Sequence, residues 1–91
     1  MERFEMLEIM KKRLPEGLEI VKVKNQSNRN QAEITFSYKG YEVKEWLTKT
    51  CTPGHEEKNC DQTIFNAMAM LAIKRNDFET AKYWSDKILN S

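Results

Sequence analysis

Nowhere in these 91 residues does an apolar run approach the ~20 positions that a membrane-spanning helix needs, so no transmembrane segment is expected. Charge of one sign is also missing, since fifteen Lys and Arg face fourteen Asp and Glu. A chain that grips phosphate backbones carries a basic surplus, so nucleic acid is disfavoured as a partner. Glycine is scarce: Gly17, Gly40 and Gly54 each sit beside a turn signal, which leaves no Gly-rich loop to cradle a phosphate. With two cysteines and one histidine, the chain lacks the residues for a disulfide framework or a four-ligand Cys/His metal motif. The opening MERFEMLEIMKKRL alternates acids with apolar residues where an export signal has a basic start and an unbroken apolar stretch. A reducing, cytoplasmic setting is therefore expected, and a structural disulfide disfavoured.

What is present suits one domain with one modest core. Phe4, Leu7, Met10 and Leu14, with Met6 beside them, recur at helical spacing before Pro15 and Gly17, which predicts a helix over 2–14. Glu2, Glu5 and Glu8 open that helix and Lys11, Lys12 and Arg13 close it, an order that suits the helix dipole. Runs rich in branched and aromatic residues predict strands over 18–24, 31–38 and 41–47. Lys39-Gly40 reads as a two-residue hairpin turn, because Gly accepts the positive φ such turns demand. That turn fixes a register: Tyr38 opposite Tyr41, Phe36 opposite Val43, Ile34 opposite Glu45, Ala32 opposite Leu47. One face of the hairpin is then nearly all apolar, with Glu45 as its one misplaced carboxylate, while the other carries Glu33, Thr35 and Ser37 against Trp46, Lys44 and Glu42. If the first strand pairs antiparallel with the second, Val21 and Val23 join the core face, and Leu18 and Ile20 point outward with Trp46.

A loop over 48–60 follows, and two helices over 61–75 and 77–90 complete the chain. Asp61 is the expected N-cap of the first, whose IFNAMAMLAI is apolar almost all round and marks a central helix. Asn76-Asp77-Phe78-Glu79 has the spacing of a helix start, and Phe78, Ala81, Trp84 and Ile88 form the inner stripe of the last helix. Met6, Met10, Met68 and Met70 read as core filler. The fold class is α+β: a helix, a three-stranded antiparallel meander, and an antiparallel helix pair packed on one face of the sheet.

Lys74, Asn76, Asp77, Phe78, Ala81, Tyr83, Trp84, Lys87 and Leu89 occupy positions that resemble the second half of a tetratricopeptide repeat, over residues 67–89. The resemblance implies a tightly packed helix pair with Ala81 at the close contact. It implies no peptide groove, because a repeat array needs several units and the chain holds one. The order helix, three strands, helix is also similar to double-stranded RNA-binding domains, but the basic cluster that opens their last helix is replaced here by KNCDQT, with one lysine.

KTCTPGHEEKNC, residues 49–60, gathers the metal-ligating side chains. Cys51, His55 and Cys60 are one ligand short of a structural zinc site, which Asp61 or a second copy would have to complete. A Cys51–Cys60 disulfide and a Cys–His nucleophile are the other chemical readings; neither an oxyanion site nor an orienting group is legible beside them. The plain alternative is a Pro53-Gly54 turn with both cysteines packed as small apolar residues.

These observations point to a non-enzymatic, cytoplasmic protein that binds another protein as a regulator, adaptor or inhibitor, without a cofactor. The expected contact surface is the open sheet face, with Trp46, Leu18 and Ile20 rimmed by Lys22, Glu33 and Lys44, together with Tyr83 on the last helix. Self-association through that face into a homodimer is one form of this expectation. A nucleic-acid module with a loop zinc, and a small thiol enzyme, are the alternatives.

Overall fold

The Lys39-Gly40 turn frames the sheet. In the computed structural model, which describes residues 4–26 and 28–90, both turn residues have positive φ, 51° and 84°, as a type I′ hairpin requires. The chain runs α1 (Glu5–Lys11), β1 (Glu19–Asn25), β2 (Gln31–Tyr38), β3 (Tyr41–Thr48), α2 (Glu56–Lys74) and α3 (Phe78–Leu89). The sheet has the order β1-β2-β3, antiparallel throughout. All four expected hairpin pairs occur, from Tyr38 opposite Tyr41 to Ala32 opposite Leu47.

The inner face carries Ala32, Ile34 and Phe36 on β2 with Val43 and Leu47 on β3, all buried. Met6, Leu7 and Met10 of α1 and Cys60, Ile64, Ala67, Met68 and Leu71 of α2 close over them into one core. The helix α2 is central, touching β3 on one side, α1 on a second and α3 on a third. The helix pair thus covers one face of the sheet through α2, with α3 packed along it. Ala69, Ala72 and Ala81 are buried between the two helices, and these small side chains let them approach closely.

The turn between the helices is a Schellman motif. Asn76 sits at φ 61°, Asp77 N–H donates to the Ala72 carbonyl at 2.8 Å, and Asn76 N–H donates to Ile73 at 3.0 Å. Asp77 then caps α3, accepting from the Thr80 N–H at 3.3 Å and the Thr80 hydroxyl at 2.7 Å. These bonds draw the Asp77 carboxyl below its usual range, Thr80 contributing most.

Several boundaries differ from the sequence reading. The first helix stops at Lys11 instead of 14, because Pro15 disfavours a helical Leu14 and the chain turns through 3.2 and 2.9 Å bonds from Lys12 to Ile9 and Arg13 to Met10. Residues 2 and 3 of that expected helix lie outside the described residues. The second helix begins at Glu56, five residues earlier than expected, with Glu56 and Glu57 in its first turn, where acids suit the dipole. Asp61 is therefore inside the helix, not its cap. Its carboxylate instead receives Arg13 through two bonds, Nε to Oδ1 at 2.7 Å and Nη2 to Oδ2 at 2.8 Å, while Arg13 Nη1 reaches Glu57 Oε2 at 3.1 Å. That fork ties the end of α1 to α2, and the bond to Asp61 holds the Arg13 proton more firmly than usual.

The first strand is also reset. A bulge between Ile20 and Lys22 leaves Val21 without a partner, so Ile20 faces inward opposite Phe36 and Val23 faces inward opposite Ile34. Leu18, Ile20 and Val23 all pack on the core side. Leu18 and Ile20 do not join Trp46, and Val21 does not join the core. Strict alternation would have buried only one of Ile20 and Val23, and the extra residue allows both. Phe78 (63% exposed) leaves the inner stripe of α3, and Met70 lies on the outside of α2.

Candidate functional site

The sheet face away from the helices is built by cross-strand rows. Lys24, Glu33 and Trp46 form one; Lys22, Thr35 and Lys44 the next; Glu19, Ser37 and Glu42 the third. Lys24 opposite Glu33 is a favourable cross-strand pair, and the face as a whole carries three lysines against three glutamates. Thr35 is buried although it lies on the outer face. Its register neighbours Lys22 and Lys44 lie on either side, where aliphatic stems shield a short side chain.

Trp46 is 44% exposed on this face, across the strand from Glu33. Its backbone is firmly held. The outward carbonyls of β3 are taken by α2: Thr63 Oγ1 donates to Trp46 O at 2.9 Å, and Lys74 Nζ donates to Glu42 O at 2.5 Å. One edge of the sheet is thus blocked by side chains. The other edge, β1, is blunted by its bulge and by Lys22 and Lys24. The bulge also leaves Val21, which sequence alternation assigned to the core, 49% exposed beside Lys22. Three apolar residues within four, Ile20, Val21 and Val23, were the available signal.

Tyr83 is exposed but stands elsewhere. It meets Trp84 edge-on at 5.1 Å between ring centroids, and Lys87 Nζ lies 5.0 Å from its centroid. Because α3 packs chiefly along α2, Tyr83 belongs to the helix-pair surface, and Trp46 to the sheet.

The Cys loop separates its three candidate ligands. Cys51 and His55 line an open cleft of about 490 Å³ with Thr52, Lys58, Asn59 and Gln62. Cys60 turns away into the core from the second turn of α2, where it is fully buried and its thiol donates to the Met6 carbonyl at 3.4 Å. Burial is the main cause that pushes this thiol up to about 11. Both cysteines are free, and among the described residues no three His, Cys, Asp or Glu side chains converge on a point that could hold a metal ion. Glu45, on the inner face opposite Ile34, is half-buried, and desolvation raises its carboxyl above the usual range. Among the described residues no helix is long and apolar enough to cross a membrane.

No protein-family model matches the chain, and comparison with curated proteins and with solved structures gives no match either.

Proposed function

We propose that this chain acts by binding another protein, as a small non-enzymatic regulator, adaptor or inhibitor in the cytoplasm, with the open sheet face as its contact surface. The observation that carries the reading is Trp46: a large aromatic ring, 44% exposed, on a strand whose backbone is fixed on both sides. Burying the rest of such a ring removes on the order of 100 Å² from water, worth ~2–3 kcal/mol. The two χ angles of an indole on a rigid strand leave little entropy to lose on binding. The interspersed Lys22, Lys24, Lys44, Glu19, Glu33 and Glu42 would orient a partner and set the encounter rate more than the affinity. Equal numbers of lysines and glutamates on this face favour a protein over a phosphate backbone.

The test is affinity capture from the native cell with the wild-type chain and with Trp46→Ala. A partner held by the wild type and lost with the variant is the expected result. Retention of every captured partner by a folded Trp46→Ala chain would remove this surface from consideration.

A further inference from the structure

The helix pair has two unlike sides. On the side toward α1, Phe65 packs against Trp84 at 5.7 Å between centroids, Trp84 meets Tyr83, and Lys87 Nζ lies within 6.0 Å of all three rings. Among the described residues the opposite side has no such ring cluster. Positions 66, 70 and 73 make one stripe of α2, and positions 78, 82, 85 and 89 one stripe of α3, at i, i+4, i+7 and i+11 spacing. In an antiparallel pair joined by a three-residue turn, with Phe65 and Trp84 in contact on one side, both stripes fall on the other. They bring together Met70 and Ile73, each 42% exposed, with Phe78 at 63% and Leu89 at 81%.

We infer that this side of the α2–α3 pair is a homodimer interface, in which two copies of the chain complete a four-helix bundle. The exposed apolar area of the four side chains is on the order of 400 Å² per copy, within the range of patches that mark contact surfaces on monomers. With the surrounding Gln62, Asn66, Lys82 and Ser85, two copies would bury roughly 1,200–1,600 Å² in total, the size of a specific interface, with the apolar share such interfaces show. Charge offers no obstacle. The Lys82 ammonium is paired with Asp86 at 2.9 Å and Lys74 is bonded to the Glu42 carbonyl, so the two stripes bring no unpaired charge to the contact. Two antiparallel helices with apolar stripes on the same side are half of a bundle, and a twofold axis supplies the other half. The sheet face is not involved, so this inference is independent of the role given to Trp46.

Sedimentation equilibrium between ~1 µM and 1 mM tests it, over the concentrations at which interfaces of this size associate. The wild type is expected to approach twice the chain mass with rising concentration. Phe78→Glu places an acid at the first position of α3, where the dipole favours it, and Leu89→Lys places a base at the last, so each keeps the helix while charging the stripe. Each is expected to weaken association at least tenfold with unchanged circular dichroism, and Trp46→Ala to leave it intact. A wild-type chain that keeps the monomer mass throughout would overturn the inference, as would a dimer that survives both stripe variants or dissociates only with Trp46→Ala.

Discussion

Asp61 has two incompatible explanations that one double-mutant cycle separates. As an N-cap its carboxylate would satisfy backbone N–H groups, and Asp61→Ala would cost about 1 kcal/mol whatever stood at position 13. In the structure Asp61 is the sixth residue of α2 and binds Arg13 in a two-pronged fork of 2.7 and 2.8 Å, with Glu57 as a third contact. The side chains of Arg13 and Asp61 are 34% and 28% exposed, so solvent screens the pair and the full strength of a buried fork does not apply. Bidentate geometry at partial burial places the coupling near ~1 kcal/mol, the upper end for exposed pairs. Each single variant should then lower the melting temperature by roughly 4–8 °C for a domain of this size. Urea denaturation of wild type, Arg13→Ala, Asp61→Ala and the double variant measures the coupling directly. Asp61→Ala should be nearly silent once Arg13 is gone, and the coupling should shrink in 1 M salt, where the Debye length is about 3 Å. An equal Asp61→Ala loss in both backgrounds would refute this account of how α1 is tied to α2.

Two further outcomes follow from groups on or near the inner face. Glu45 has a folded-state carboxyl raised above its usual value of 4.5 by desolvation, so the folded state binds its proton more tightly than the unfolded state. Its penalty is absent below pH 4.5, grows as pH rises through the raised value, and is full at neutrality. Glu45→Gln should accordingly stabilise the protein at pH 7 and leave it unchanged near pH 4; an equal effect at both would contradict the desolvation. Cys60 is fully buried with its thiol pushed up to about 11, whereas Cys51 lines an open cleft. Iodoacetamide at pH 8 should label Cys51 first and reach Cys60 only at the rate of opening, as followed by mass spectrometry; equal labelling would show that the core around Met6 is not closed.

The hairpin, its register and the helix-pair turn are all legible in the chain without its fold. Lys39-Gly40 can form a tight turn, and once it does, a period of two assigns every residue from Ala32 to Leu47 to a face, so Trp46 had to be outside. Asn76 and Asp77 likewise carry their structure locally, one by adopting a left-handed conformation and the other by capping its own helix. The remaining features depend on long-range packing. Three apolar residues in β1 could not all obey alternation, and the core resolved the conflict by a bulge that turns Ile20 and Val23 inward, partly buried, and releases Val21. The ion fork from Arg13 gave Asp61 a partner 48 positions away, which no local pattern displays. Cys60 lies beside Cys51 and His55 in the chain, but the direction of its side chain was fixed by which face of α2 meets α1. Local hydrogen bonding and periodicity act over a few residues, whereas burial is set by what the whole chain brings to a surface.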